Sequence, residues 1–229
     1  MRRDVPPAPT WHTAALVTLI VVVAVAGSAL AANGATAPIP TASSARVASV
    51  YLPVLLVQWG LVLYVCRIGR TRNVLRELLG ETWSGPTRAA VDVTLAAMTV
   101  CLILGVNAAY THLLGSAHAA SREALLPRTA FERGVWVFVA ISVGFCEEVV
   151  YRGYLLSALS RWSRSVTLGV ISQGVLFGLA HLDQGARAAI PIVFYGVLLG
   201  TLSRFRGSLM AGILCHVTVD LLSGLASTG

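Results

Sequence analysis

The sequence predicts an all-α fold, a polytopic transmembrane helical bundle of about seven transmembrane helices, and three observations predict it. Charged residues are 12% of the chain, about half the roughly 25% usual in soluble domains. Hydrophobic residues are 56% before 21 glycines are counted, and mean hydropathy is +0.76. The apolar residues also fall into runs of about 20, the length that crosses a bilayer as a helix. A soluble domain of 229 residues cannot hide that much apolar surface, which excludes a small soluble enzyme and a disordered tail protein. The whole chain, 1–229, reads as one membrane domain.

Seven runs follow in order. The first covers residues 13–32 and the second 47–68, with Pro53 near its start. The third spans 89–114 and the fourth 134–159. The last three, 165–182, 188–203 and 208–225, are short and joined by tight connections, so they form adjacent antiparallel helices. Between the second and third runs, residues 73–79 form a short amphipathic stretch suited to an anionic leaflet.

All 17 basic residues are arginine, and their placement sets the orientation. With the N-terminus inside, Arg2, Arg3, Arg67, Arg70, Arg72, Arg76, Arg88, Arg161, Arg164, Arg204 and Arg206 are cytoplasmic. Arg46, Arg122, Arg128, Arg133 and Arg187 are then outside. The positive-inside rule therefore puts the N-terminus in and the C-terminus out, in the cytoplasmic membrane. The clusters are short and lie between apolar runs, so the net charge of +7 reflects topology and not nucleic-acid binding. Arg2 and Arg3, the apolar run and Ala29-Leu-Ala31 also resemble a secretory signal. The run is longer than a signal core, which favours a retained helix. Cys66, Cys101, Cys146 and Cys215 lie in apolar segments without CxxC spacing and read as small hydrophobes.

Ionisable groups at mid-membrane cost at least ~2.5–3.5 kcal/mol each, so by default they mark function. The fourth run holds Glu147, Glu148 and Arg152. Glu148 and Arg152 are four apart with the acid first, the favourable order for a helical ion pair. Glu147 lies ~100° round the helix and has no arginine four residues on. One acid is thus neutralised in place while the other is free for chemistry. The fifth run carries Phe177 and His181, the seventh His216 and Asp220, each pair on one helical face. Asp220 is placed to orient the His216 imidazole or to share a proton or metal with it. In lipid these three polar faces turn inward to meet one another.

Other polar residues read as structural. Asp92 lies near the inner end of its helix and reaches the headgroups. Asn107 and His112, nearer the outer end, make an interhelical bond. His12 and His118 lie in flanking loops, and Asp183 caps a helix end. Gly174-Val-Leu-Phe-Gly178 and Gly196-Val-Leu-Leu-Gly200 are GxxxG patterns that bring the fifth and sixth helices close.

The ordered set Glu147-Glu148-x-x-x-Arg152, Phe177-x-x-x-His181 and His216-x-x-x-Asp220 resembles the CPBP family of intramembrane proteases. That family includes the CAAX prenyl endopeptidases and bacterial relatives, some linked to bacteriocin immunity. The resemblance covers roughly residues 134–225, the family-like catalytic helices. The family's last motif usually ends in Asn, where this chain has Asp220, and an ionised Asp is a poor hydrogen-bond donor.

The resemblance implies peptide-bond hydrolysis within the membrane, by way of an activated water and a stabilised oxyanion. Glu147 is the candidate base, His181 holds the same water, and His216 faces the oxyanion with Asp220 in support. Arg152 neutralises Glu148. Two catalytic types stay open: a zinc held by Glu147, His181 and His216 with one open position, and a metal-free glutamate mechanism. The implied partners are membrane lipid and a peptide or membrane-protein substrate, prenylated tails being the family's best-known target. A rival reading keeps the fold and uses the polar pocket for binding, as in an immunity protein. On this topology Glu147 lies ~10 Å and His181 ~24 Å from the inner surface, at ~1.5 Å per residue, although the mechanism needs them together.

Overall fold

The computed structural model describes residues 8–32, 42–69, 73–115 and 125–226. Arg2, Arg3, Arg70, Arg72, Arg122 and His118 lie outside the described residues. Those described form eight helices and no strand. They are α1 (Thr10–Ala32), α2 (Ser43–Ile68), α3 (Val74–Leu79), α4 (Pro86–Leu114), α5 (Ala130–Trp162), α6 (Val166–Leu179), α7 (Ala186–Arg206) and α8 (Met210–Leu225). All seven predicted runs are helical. Five of them, α1, α2, α4, α5 and α7, are long and apolar enough to cross a membrane, so this is an integral membrane protein. Helices α6 and α8 have 14 and 16 residues, short of the ~20 that span a bilayer unaided. Helix α1 runs through Ala29-Leu-Ala31 without a break and begins at Thr10, which brings His12 into the helix instead of a loop.

Hydrogen bonds show which helix ends share a level. At one end, His12 Nδ1 meets the Tyr64 hydroxyl at 2.8 Å and Thr13 Oγ1 meets the Tyr154 hydroxyl at 2.9 Å. The Leu209 N–H there donates to the Leu79 carbonyl at 2.9 Å. At the other end, Ser43 Oγ and Thr129 Oγ1 are 3.0 Å apart, and Arg46 Nη2 donates to the Leu126 carbonyl at 2.8 Å. Pro191 has no N–H to offer the carbonyl four residues back, and the Tyr110 hydroxyl donates to that Arg187 carbonyl instead, at 2.9 Å.

The 33-residue α5 is the axis and the most buried span. Its N-terminus is capped by Thr129, whose hydroxyl accepts from the Glu132 N–H at 3.2 Å. The Glu132 carboxylate turns back to accept from the Arg128 N–H at 2.7 Å. It also pairs with Arg46 at 3.4 Å, both side chains fully buried. This α2–α5 lock is absent from the sequence reading, which treats Arg46 only as a topology charge. After Glu147 the α-helix gives way to a π-helical stretch, Glu148–Leu155, in which every residue is buried. Turns closed by i→i+5 bonds are wider than α turns and are common at functional sites.

Around that stretch packs one apolar core, with Leu16, Val65, Leu78, Val149, Leu155 and Leu209 among its members. A second joins α4, α7 and α8 through Val100, Ile103, Leu199, Ala211 and Cys215. Cys146 and Cys215 are fully buried in these cores, as small hydrophobes should be.

Helix α3 differs from its expected place on the lipid surface. Val74 and Leu78 are buried, and Leu78 Cβ lies 3.2 Å from where Gly153 would carry its own. An antiparallel bridge from Gly80 to Ser208 fixes the helix under α5. Gly80 sits at φ 74°, with the Gly207 carbonyl where a side chain would begin. Two intrachain partners thus take up the apolar face that lipid was expected to cover.

Asp92 also departs from expectation, because it is fully buried and does not reach the headgroups. It accepts from Arg206 Nε at 2.7 Å and Trp83 Nε1 at 3.0 Å. These two donors satisfy the carboxylate inside the bundle, so solvation at the interface is unnecessary.

The GxxxG expectation holds. A Cβ on Gly196 would stand 2.7 Å from Gly174 Cα, and Gln173 Nε2 donates to the Gly196 carbonyl at 2.7 Å across the same contact. Small residues let the backbones of α6 and α7 touch, and the buried amide ties them.

Candidate functional site

Glu147 ends the α-helical part of α5 and Glu148 opens the π-helical part. The two acids thus meet different neighbours. Glu148 is fully buried and its Oε1 is shared: Arg152 Nη1 lies 3.0 Å away and His216 Nδ1 also 3.0 Å away. The Arg152 contact is an ion pair whose angle is not that of a directed hydrogen bond. The guanidinium carbon lies 4.1 Å from the centre of the Phe177 ring, a cation–π contact. Behind Glu148, Gly212 leaves room for Oε2: a Cβ there would stand 2.7 Å from it.

Glu147 is held differently. Gln58 Nε2, on α2, donates to its Oε1 at 2.6 Å. Its Oε2 makes no hydrogen bond and lies 3.5 Å from His216 Nε2. With Nδ1 donating to Glu148, neutral His216 carries its lone pair on Nε2. Two acceptors then face each other, an arrangement that can share one proton. Asp220 Oδ2 lies 3.8 Å from the same Nε2. Asp220, expected to orient the imidazole or to share a proton or metal with it, thus stands at Nε2, while Glu148 holds Nδ1. One helical turn from His216, Asp220 reaches Nε2, and Glu148 comes to Nδ1 from the neighbouring helix.

His181 lies just past the end of α6. Its Nδ1 bonds the Phe177 carbonyl at 2.8 Å. A carbonyl only accepts, so Nδ1 donates and Nε2 is the free polar atom of neutral His181. The Phe177 ring lies between the histidines, 4.9 Å from His181 and 5.7 Å from His216 by centroids.

A cavity of about 340 Å³ unites these groups. Glu147, His181, His216 and Asp220 all line it, with Gln58, while Glu148 and Arg152 stand behind its wall. The expected mismatch in depth disappears. Helix α5 continues to Trp162, which puts Glu147 about 22 Å above that end at ~1.5 Å per residue. His181 stands about 22 Å above Val166, the start of α6, by the same rule.

Both histidines present Nε2 lone pairs, as metal ligands do. However, no group of three or more His, Cys, Asp or Glu side chains among the described residues is arranged to hold a metal ion. The residues as placed do not fit the three-ligand zinc site.

The six residues named from the sequence line or back one cavity, and Gln58, which the motifs do not include, joins them there. Its signal is a lone amide in the apolar run 52–66, the kind of polar residue that by default carries function in a membrane helix.

Residues 129–222 match the family model described as Rce1-like, type II CAAX prenyl endopeptidase Rce1-like. The match contains all six predicted site residues and leaves out Gln58. No curated protein and no solved structure matches the chain.

Proposed function

We propose that the chain, whose residues 129–222 match the type II CAAX prenyl endopeptidase Rce1-like model, belongs to the CPBP family and is an intramembrane endopeptidase that hydrolyses a peptide bond with water activated by Glu147. The observation that carries this reading is the Glu147 carboxylate at a cavity wall, anchored by Gln58 and facing His216 Nε2 with its other oxygen.

Glu147 Oε2 takes a proton from water as the oxygen bonds to the substrate carbonyl carbon. The proton passes to His216 Nε2, making an imidazolium between Glu148 and Asp220. That N–H then protonates the leaving nitrogen as the C–N bond breaks. Gln58 fixes the base, Glu148 fixes the imidazole, and Arg152 neutralises Glu148. His181 Nε2 holds the water or, when protonated, the developing oxyanion.

The orientation belongs to the same proposal. Arg67, Arg76, Arg88, Arg161, Arg164, Arg204 and Arg206 stand at the end where α1 begins. Arg46, Arg128, Arg133 and Arg187 stand at the other, and Arg46 is buried against Glu132. The positive-inside rule makes the first end cytoplasmic. Exposed Trp11, Trp83 and Trp162 near that end suit an interfacial belt.

Cleavage of a fluorogenic peptide panel by detergent-purified protein tests the reading, with Glu147→Ala as control. Cleavage that depends on Glu147 supports an endopeptidase. Wild-type protein that is folded and cuts nothing supports the binding or immunity reading.

A further inference from the structure

The cavity lies in one half of the bundle. Its deepest residues are Gln58, Glu147, Phe177 and His216, and from there the lining runs only toward one end. Helix α2 contributes residues 51–58, α4 103–111, α5 136–147, α7 188–199 and α8 216–223. Each is the part of its helix near the end where Tyr110 meets Arg187 and Arg46 meets Leu126. Among the described residues, none of the lining comes from the opposite ends of these helices.

That opposite, arginine-rich end is closed by several independent contacts. Leu78 fills the space beneath Gly153, the bridge from Gly80 to Ser208 fixes α3 there, and Arg206 ties α7 to Asp92. Val149, Val150, Leu155 and Leu209, all buried in one apolar core, lie between that closure and Glu147. A substrate coming from the arginine-rich side would have to displace this core. From the other side it meets Asn107, Thr111, Gln184 and Ser223 at the rim, then apolar walls such as Val139, Val143 and Ile192, then the carboxylate.

We propose that the cavity is entered from the non-cytoplasmic face. Its substrate is a membrane-anchored polypeptide whose scissile bond lies in the outer half of the bilayer, with a polar continuation on that face. An apolar stretch next to the scissile bond occupies the walls, and the polar continuation bonds the rim. A C-terminal tail presented from the cytosol, prenylated or not, meets the core of Val149, Val150, Leu155 and Leu209 before Glu147. The inference rests on the endopeptidase reading for its substrate and on the arginine distribution for its sidedness.

Two arms test it separately. In a cysteine-free background, Arg128→Cys, Ser223→Cys and Ser84→Cys report the outer loop, the cavity rim and the arginine-rich end. Sealed right-side-out and inside-out vesicles are treated with a membrane-impermeant maleimide. The expected result is labelling of Arg128→Cys and Ser223→Cys only in right-side-out vesicles, and of Ser84→Cys only in inside-out vesicles. Ser223→Cys labelled only in inside-out vesicles, or from neither face, overturns the proposal. Labelling needs no activity, so this arm stands or fails independently of the protease reading.

In the second arm, single-span reporters carry the same apolar segment and epitope tag on either side of the membrane. Wild-type protein is expected to cut the non-cytoplasmic reporter at least tenfold faster, and Glu147→Ala to cut neither. Preferential cutting of the cytoplasmic reporter overturns the proposal. Cutting of neither reporter, with the labelling as expected, overturns the endopeptidase reading while leaving the sidedness in place.

Discussion

Gln58 Nε2 donates to Glu147 Oε1 at 2.6 Å, joining α2 to the end of the α-helical part of α5. This bond fixes which oxygen of Glu147 is occupied and which faces His216. A hydrogen bond to a charged group contributes ~1.5–3 kcal/mol. Expressed in the transition state, that is about a 10- to 100-fold loss of kcat/KM for Gln58→Leu. Gln58→Glu should be worse, because it sets a second carboxylate against the base. Kinetics on detergent-purified variants with wild-type thermal stability check this, and full activity in Gln58→Leu would remove Gln58 from the account.

The Glu148–Arg152 pair is fully buried. Removing one partner leaves an uncompensated buried charge, which costs about 3–5 kcal/mol. Arg152→Ala is therefore expected to lower the thermal midpoint sharply and to abolish activity. The double variant Glu148→Gln/Arg152→Met should recover much of the stability and none of the activity, because His216 Nδ1 loses its carboxylate. Thermal unfolding beside activity measurements separates the two roles.

Gly212 leaves the space that Glu148 Oε2 occupies, and a Cβ there would stand 2.7 Å from that atom. Glu148 is pinned by Arg152 and His216, so it cannot yield without turning the imidazole. Gly212→Ala should lower activity about tenfold, a barrier change of ~1.4 kcal/mol. Ala is otherwise the better helix former. Unchanged turnover would mean that the carboxylate position is not critical.

Gly174 and Gly196 bring two helix backbones into contact. Gly196→Leu must force α6 and α7 apart, and overpacking typically costs about 1–3 kcal/mol. Because α6 positions His181 and Phe177, activity should fall with stability. Gly105→Leu, where a side chain meets open space, is the control and should change neither.

Much of the fold was legible because lipid makes its demands in composition and length. The seven apolar runs all became helices, and the GxxxG spacing correctly paired α6 with α7. The motif spacing also named the acids and histidines that line or back one cavity. What stayed hidden depended on long-range partners. Nothing in 52–66 says that Gln58 faces Glu147, nor does anything near Arg46 point to Glu132, 86 residues on in the chain. The partner of His216 Nδ1 was hidden for the same reason. Asp220 is its neighbour in sequence, while Glu148 reaches Nδ1 from another helix. The gap in depth closes because Glu147 and His181 each lie fifteen residues along the chain from the joined helix ends at Trp162 and Val166. Helix α3 looked suited to lipid because amphipathicity does not say whether the apolar face meets lipid or protein.

Chelation offers a test of catalytic type. Among the described residues no side chains form a three-ligand metal site, and the proposed proton path runs through Glu147 and His216 alone. Cleavage is therefore expected to survive prolonged treatment with a strong chelator. Loss on chelation with recovery on added zinc would mean that Glu147, His181 and His216 close around a metal during turnover.

The most direct test of the central claim is cleavage of a peptide panel, including prenylated CAAX peptides, by purified wild type beside Glu147→Ala and Glu147→Gln. The account predicts that wild type cuts at least one apolar peptide and that both variants, equally folded, lose at least ~1,000-fold, within reach of what a positioned general base contributes. Cleavage unchanged in the Glu147 variants would contradict it.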